Sequence, residues 1–244
     1  MQAIILAAGQ GTRMASELPK VLVPLKGKPM IEHLIQSLVK SKIKHKPIII
    51  VSPDNKEIIS KALEEYDCDY VPQEKQLGTG NALACAQNFI STEVENIVCF
   101  YGDHPFITTN TINNLLDHHR GIITMMTAKV KDFQDWRKNF YYWGRIIRNG
   151  DSVQSIVEFR DADENTKKIK EVNPALYSFN SKWLWDNINF LKNNNAQKEY
   201  YLTDLISLAS TQNHKINTLS VDPREAMGIN SKEELNIAEN FFDF

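Results

Sequence analysis

Cysteine is scarce in this chain of 244 residues: Cys68, Cys85 and Cys99 are the whole supply. They form neither a C-x-x-C pair nor an even set of the kind that staples small secreted domains. This argues against a disulfide scaffold and for a reducing compartment, with the three thiols expected as buried packing residues. An excess of one charge is lacking as well. The formal net charge is −2, so no general field draws the chain to nucleic acid, and any anion site has to be built locally. No apolar run approaches the roughly 20 residues of a membrane helix. The N-terminal run, residues 3–8, is short, has no basic flank and ends in glycine, unlike a signal peptide. A cytoplasmic protein is expected. Internal repeats are missing too, and the one compositional oddity, residues 193–195 (NNN), reads as a loop. Six histidines are present, but none is spaced as a metal ligand. His118 and His119 are adjacent, so they would point to different faces of a helix, and no Ser-His-Asp order stands out.

What is present is an ordinary globular composition, 42% hydrophobic and 24% charged, at a length that α/β chains often fill as one domain. Near-continuous apolar runs at 3–8, 47–52 and 96–103 read as strands covered on both faces. Helical periodicity separates them: Met30, Ile31, Leu34, Ile35 and Leu38 mark one face of a helix over 30–39, and 56–66 and 81–90 behave similarly. Strand–helix alternation to about residue 130 predicts a parallel sheet whose ligands sit at the carboxyl ends of the strands. The second half departs from it. Residues 143–159 read as a hairpin turning at Asn149, Gly150 and Asp151, residues 171–179 as a strand, and 200–210 and 232–242 as helices. Ser231 is the N-cap expected for the last, with Glu234 completing a capping box.

The first strand empties into LAAGQGTRMASELPK, residues 6–20. Ala7 and Ala8 are small enough for a ligand to approach, and Gly9 and Gly11 reach positive φ at little cost, so backbone N–H groups can turn toward an anion. Arg13 and Lys20 add full positive charge, and Pro19 biases Leu18 toward an extended conformation before Lys20. There is no G-x-x-x-x-G-K-[ST] and no third glycine at the dinucleotide spacing. Two cations beside such a turn suit a triphosphate whose pyrophosphate leaves. The competing reading is an ordinary strand-to-helix turn. Asp103, in YGDHP, ends an apolar strand and reads either as a metal ligand or as the N-cap of a helix after Pro105. The glycine loop VPQEKQLGTG (71–80) opens a helix and reads either as a set of backbone donors or as a helix cap.

LAAGQGTRMASELPKVL resembles the signature of sugar-nucleotide pyrophosphorylases. QLGTGNA (76–82), YGDHP (101–105), EVN (171–173), NAQKEYYLTD (195–204) and MGIN (227–230) are similar, in order, to segments of bacterial N-acetylglucosamine-1-phosphate uridylyltransferase domains, over nearly the whole chain. The resemblance implies a Rossmann-like, three-layer, GT-A-like α/β fold with a mixed, mostly parallel central sheet. It also implies a nucleotide half (about 1–130), a sugar-side lobe (about 131–230) and a closing helix (231–244). It implies UTP and a hexosamine 1-phosphate as substrates and Mg²⁺ as cofactor, held by Asp103 and Asn230. Arg13 and Lys20 would be the catalytic cations. Leu6, Ala7, Ala8, Gly9, Gly11, Lys20, Gln73, Gly78, Thr79, Tyr101, Gly102 and Asp103 would hold the nucleotide, with Gln73 reading the base. Gly144, Glu158 and Asn173 would meet the sugar, with Glu199, Tyr201 and Thr203 walling its pocket. Relatives continue into a β-helix of hexapeptide repeats that trimerises and carries an acetyltransferase; no such repeat begins here, so that activity is expected to be missing, and the oligomeric state is left open.

The departures gather on the sugar side. Pro174 and Ala175 stand where the family has Thr or Ser and then Gly, and FYYWGR (140–145) replaces Pro-x-Gly-Tyr-Gly-Arg. His104 and Asn81 also differ, outside the strongest expected contacts. Two alternatives stay open: a pyrophosphorylase for another nucleotide and sugar pair, and a catalytically silent module that holds a nucleotide sugar.

Overall fold

The computed structural model describes residues 1–9, 11, 14 and 16–241. In chain order its strands are β1 (Gln2–Leu6), β2 (Pro24–Leu25), β3 (Lys28–Pro29), β4 (Ile48–Val51), β5 (Asp69–Pro72), β6 (Asn96–Tyr101), β7 (Ile123–Lys129), β8 (Arg145–Asn149), β9 (Ser152–Val157), β10 (Glu171–Val172), β11 (Tyr177–Asn180) and β12 (Asn217–Ser220). The helices are α1 (Met30–Val39), α2 (Lys56–Ala62), α3 (Thr79–Ala84), α4 (Thr109–Asp117), α5 (Ser181–Asn187), α6 (Asp204–Thr211), α7 (Pro223–Ala226) and α8 (Lys232–Phe241).

All of β1 is buried, as a strand in the middle of a covered sheet must be. It lies between β4 and β6 and runs parallel to both, with β5 parallel to β4 on the outer side. Beyond β6 the order continues β11-β7-β10-β8-β9, and β12 pairs with β7. Strands β5, β4, β1, β6, β7, β12 and β8 run one way and β11, β10 and β9 the other, so the sheet is mixed and mostly parallel. Alternation along β1 builds two apolar layers. Ala3 and Ile5 face the α1 residues Met30, Ile31, Leu34, Ile35 and Leu38, whereas Ile4 and Leu6 face Leu83 of α3 and Leu205 and Ile206 of α6. The result is helix, sheet, helix in three layers.

Several elements depart from their sequence outlines. Helix α2 stops at Ala62 rather than 66, because Tyr66 folds back so that its hydroxyl donates to Glu32 at 3.0 Å. Helix α3 begins at Thr79 and ends at Ala84, where i→i−3 bonds tighten the chain into a short 3₁₀ turn at Gln87–Phe89. The strand expected over 171–179 is broken into β10 and β11: Pro174 offers no N–H, and Ala175 sits at φ 56°. The helix expected over 200–210 starts only at Asp204. Ahead of it, Tyr200 N–H donates to Leu77 O, Gly80 N–H to Tyr200 O and Leu202 N–H to the Thr79 hydroxyl, which holds that segment against the glycine loop. His118 and His119 lie just past α4, not within it. Of the cysteines only Cys99 is buried; Cys68 and Cys85 are half-buried. Among the described residues no helix is long and apolar enough to cross a membrane.

The hairpin β8–β9 turns through Gly150 and Asp151, with Asn149 paired to Ser152 and Gly150 at φ 58°. Arg145, at its start, is wholly buried and has no carboxylate partner among the described residues. Its guanidinium donates to the carbonyls of Phe140, Tyr141, Trp143 and Lys167 and lies over the Phe133 ring at 4.9 Å. A buried charge is tolerated only when its donors are satisfied, and here the satisfied donors fasten the 140–143 segment to the sheet. Arg145→Met would leave those buried acceptors unpaired and should cost on the order of 3 kcal/mol. Urea denaturation followed by tryptophan fluorescence measures it; a variant as stable as wild type would remove Arg145 from this role.

Candidate active site

At the carboxyl ends of β1 and β6 the chain leaves the sheet side by side, Gly102 N–H donating to Leu6 O at 3.0 Å. That edge opens into a cavity of about 590 Å³. Gly11 is in the left-handed region at φ 61°, and a Cβ on it would lie 2.5 Å from the Lys20 Cβ. Only glycine satisfies both conditions, and Lys20 is thereby packed back over the turn. Its ammonium donates to Asp103 Oδ2 at 2.5 Å and to Asn230 Oδ1 at 3.1 Å, residues 83 and 210 positions away in sequence.

Each partner is held locally. Asp103 follows β6 and does not cap a helix: α4 begins at Thr109 and Thr108 caps it, its hydroxyl accepting from the Thr111 N–H. The backbone N–H of Ile229 donates to the Asp103 carbonyl at 2.9 Å, so the strap before α8 is tied to the end of β6. At the start of α8 the Ser231 hydroxyl accepts from Glu234 N–H, as the sequence pattern predicts, and the Glu234 carboxylate accepts from the backbone N–H of Asn230. This capping arrangement, in which Glu234 reaches one residue past the N-cap, therefore fixes Asn230 two residues ahead of the helix. Burial pushes the Asp103 carboxyl up, but the Lys20 ammonium beside it more than offsets this, and the group ends below the ordinary carboxylate range. It is ionised at neutral pH.

Across the cavity, Gln73 is buried, and its amide donates to Gly78 O at 3.1 Å and to Asn81 Oδ1 at 2.8 Å. Gly78 caps α3 at φ 112°, where a Cβ would meet the Tyr200 carbonyl at 2.7 Å.

The structure brings Leu6, Ala7, Ala8, Gly9, Gly11, Lys20, Gln73, Gly78, Thr79, Tyr101, Asp103, Glu199 and Asn230 to this one cavity. Arg13 lies outside the described residues. Gly102 is buried behind the cavity wall, packed toward Val21 and Ile31. Five residues expected on the sugar side do not line the cavity. Of these, four form a linked group: Asn173 N–H donates to Gly144 O at 2.9 Å, Gly144 packs against the Glu158 carboxylate, and the Thr203 hydroxyl donates to Glu158 Oε1 at 3.0 Å. Tyr201 is buried nearby, and Glu199 is where the cavity and this group meet, since its charge is felt at Glu158.

Four lining residues were not singled out from sequence: Val21, Gln76, Ala82 and Gln197. Gln76 donates to Ala8 O at 2.6 Å and so braces the first turn; Gln76 and Gln197 both lie within segments whose resemblance was noted. Asn81 and His104, set aside as peripheral, contact Gln73 and Asp103 respectively.

The two oxygens on Lys20 come from a carboxylate and an amide, a hard donor pair of the kind Mg²⁺ takes together with substrate phosphates. The ammonium stands where a small cation would be bound, so the residues present fit that ion. Among the described residues no group of three or more His, Cys, Asp or Glu side chains forms a self-sufficient metal cage.

A three-layer α/β fold with a charged cavity at the carboxyl edge of its sheet is the architecture of nucleotide-handling transferases. The comparisons with known proteins agree. The model of the MobA-like NTP transferase domain family matches residues 3–183, and the chain belongs to that family of nucleotidyltransferases. It is 40% identical over 240 residues to the bifunctional protein GlmU of Clostridium botulinum (strain Eklund 17B / Type B), covering 97% of this chain and 51% of that protein. It is 41% identical over 242 residues to the GlmU of Clostridium novyi (strain NT), with the same coverage of 97% and 51%. The chain spans about half the length of these curated relatives. Among solved structures it is similar to the 4-diphosphocytidyl-2C-methyl-D-erythritol synthase of Anaerococcus prevotii (TM-score 0.70, 18% identity, covering 98% of this chain and 94% of that one). It is also similar to a Bacillus anthracis protein named as a glucose-1-phosphate thymidylyltransferase (TM-score 0.74, 19% identity, covering 100% and 97%). At those identities the likeness is one of fold.

Burial pushes the Glu158 carboxyl above the usual glutamate range; the Thr203 hydroxyl opposes this, while the charges of Asp204, Asp161 and Glu199 add to it. The folded chain therefore holds this proton more tightly than the unfolded one. The stability linked to it is present at low pH and is lost as pH rises through the folded value. Glu158→Gln keeps an acceptor for Thr203 and removes the charge. Relative to wild type it should gain stability as pH rises from about 4 to about 8, read by urea denaturation at a series of pH values. A difference that does not move with pH would contradict the buried charge.

Proposed function

We propose that this chain joins UTP to N-acetylglucosamine 1-phosphate, or a closely related hexose 1-phosphate, releasing pyrophosphate. The observation that carries this reading is the convergence of Lys20 with Asp103 and Asn230 in the cavity that Gly9 and Gly11 also line.

The chemistry asks little covalent work of the protein. A non-bridging oxygen of the sugar 1-phosphate, already anionic, attacks the α-phosphorus of UTP; the bond to the bridging oxygen breaks on the opposite side, and the electron pair leaves with pyrophosphate. No general base is needed. Positioning and charge neutralisation supply the rate. Asp103 and Asn230 would hold Mg²⁺, and the chemistry it supplies when bound is neutralisation of phosphate charge. With that ion bound, the Lys20 ammonium, now held by the same two oxygens, would be free to turn to the phosphates. By the sequence resemblance Arg13 would add a second cation, and the backbone N–H groups of Gly9 and Gly11 would serve the β- and γ-phosphates.

Gln73 has both amide hydrogens committed to Gly78 O and Asn81 Oδ1, so it presents its carbonyl oxygen. An acceptor there complements the N3–H of uracil and opposes the N3 acceptor of cytosine. Gly144, Glu158 and Asn173 are assigned to the hexose, with Tyr201 and Thr203 around them and Glu199 on the cavity side. The free thiols fit a cytoplasmic setting.

The test is pyrophosphate release from UTP, dTTP, CTP and GTP, each paired with N-acetylglucosamine, glucosamine and glucose 1-phosphates in the presence of Mg²⁺. UTP with the N-acetyl sugar should be fastest, and no release from any pair would sink the proposal. Lys20→Ala should lose on the order of 10²-fold or more in turnover, as expected for a cation that serves the transition state; full turnover would remove Lys20 from that role.

A further inference from the structure

His104 has no part in the reaction above, yet it is one of the most enclosed polar side chains beside the cavity, 8% exposed. Its ring is held on three sides. Trp143 stacks on it, with centroids 5.7 Å apart and planes at 25°. Tyr101 lies at 5.9 Å, tilted. Gly228 closes the edge so tightly that a Cβ there would be 2.5 Å from His104 Nε2. That nitrogen faces Asp103 Oδ1 at 3.7 Å, while Lys20 is bonded to the other oxygen, Oδ2. The Trp143 carbonyl is in turn held by Arg145, and Gly228 leads through Ile229, bonded to the Asp103 carbonyl, into Asn230.

We propose that His104 is a positioning residue for the cation-holding pair: clamped between Trp143 and Gly228, its imidazole directs an N–H at Asp103 Oδ1 and so keeps Oδ2 aimed at the cation. The proposal rests on reading Asp103 and Asn230 as that pair. A carboxylate that ligates through one oxygen can swing about its terminal bond, and a donor on the other oxygen fixes the swing. Outer contacts of this kind typically set 10–100-fold in metal affinity. At 3.7 Å the contact is a polar one just beyond direct hydrogen-bond length. The same contacts give Trp143 a second task. It joins the 140–145 segment to the residue that follows Asp103 at the end of β6. A histidine present only to fill space would be replaced without loss by phenylalanine, which keeps the stack and lacks the N–H.

Titration of Mn²⁺ alone into the full chain, followed by electron paramagnetic resonance, tests this with wild type, His104→Phe, His104→Gln and Asp103→Asn. Thermal unfolding and circular dichroism check each fold. His104→Phe should bind Mn²⁺ at least about tenfold more weakly, and His104→Gln should recover part of the affinity. In steady-state assays the Mg²⁺ needed for half-maximal rate should rise for His104→Phe with the KM for UTP little changed. If His104→Phe binds Mn²⁺ like wild type while Asp103→Asn does not, the role of His104 is overturned and the site reading stands. If Asp103→Asn also binds like wild type, or wild type shows no binding that depends on Asp103, the cation reading fails and this proposal with it. Should phenylalanine unfold the chain, Trp143→Leu, which frees the ring without altering the imidazole, carries the same expectation, and unchanged Mn²⁺ affinity there overturns it.

Discussion

The ion pair between Lys20 and Asp103 is the constraint that the rest of this cavity serves. Both side chains are largely withdrawn from water, with 16% and 8% of their surface exposed, and burying two charges costs more than their attraction returns unless further hydrogen bonds complete the geometry. Asn230 supplies one of those bonds. Assembling the three takes a glycine at position 11 that lets the chain lie against Lys20, a strand end that delivers Asp103, and a helix cap that places Asn230. A hydrophobic cluster of the same volume would stabilise the fold as well or better. The arrangement makes sense as a cation-and-oxygen centre facing a cavity, where charge has work to do.

The topology explains why residues so far apart meet. Parallel strands of one sheet end on the same edge, so the exits of β1 and β6 are neighbours whatever lies between them in sequence. The antiparallel strand β11, inserted between β6 and β7, then extends the sheet to a second region, in which β8, β9 and β10 support the group around Gly144, Glu158 and Asn173. The first region is rigid by pairing and burial. The second depends on side-chain work: Arg145 gathers four carbonyls, and the Glu158 carboxyl is anchored by Thr203.

How much of this could be read from the sequence varied with the range of the forces involved. Helix α1 has the predicted bounds because its apolar stripe and its length are both local properties, and the capping box of α8 is a four-residue pattern. The edge position of Lys20 and Asp103 followed from strand pattern alone; Asn230 required the resemblance, because a loop amide has no signature of its own. What could not be read depended on distant partners. Tyr200 to Leu202 look helical beside 204–210, but the backbone of Leu77 and Gly80 and the Thr79 hydroxyl claim their hydrogen-bonding groups. No window of local sequence contains that pairing. His104 was set aside for a related reason: its environment comes from Trp143 and Gly228, 39 and 124 positions away by their numbers.

The sugar side is where local chemistry departs most from the family, and the structure shows what the departure entails. Pro174 interrupts the strand, and Ala175 takes a left-handed conformation that a glycine would adopt at less cost. The Asn173 side chain offsets part of that cost, since its Oδ1 accepts from the Ala175 N–H at 3.0 Å. The side-chain oxygen of Asn173 is thereby committed to the turn, which leaves its amide N–H, a donor that also meets the Tyr177 hydroxyl. Under the proposed function, a donor there would discriminate by the polarity of the sugar substituent it meets and not by its size alone. Replacing Pro-Ala by the family's small hydroxyl residue and glycine would relax the turn and release that side-chain oxygen. Under the proposed function, the polarity of this one amide, beside the bulk of the aromatic 140–143 segment, is the feature of the unusual turn that bears on the choice of sugar.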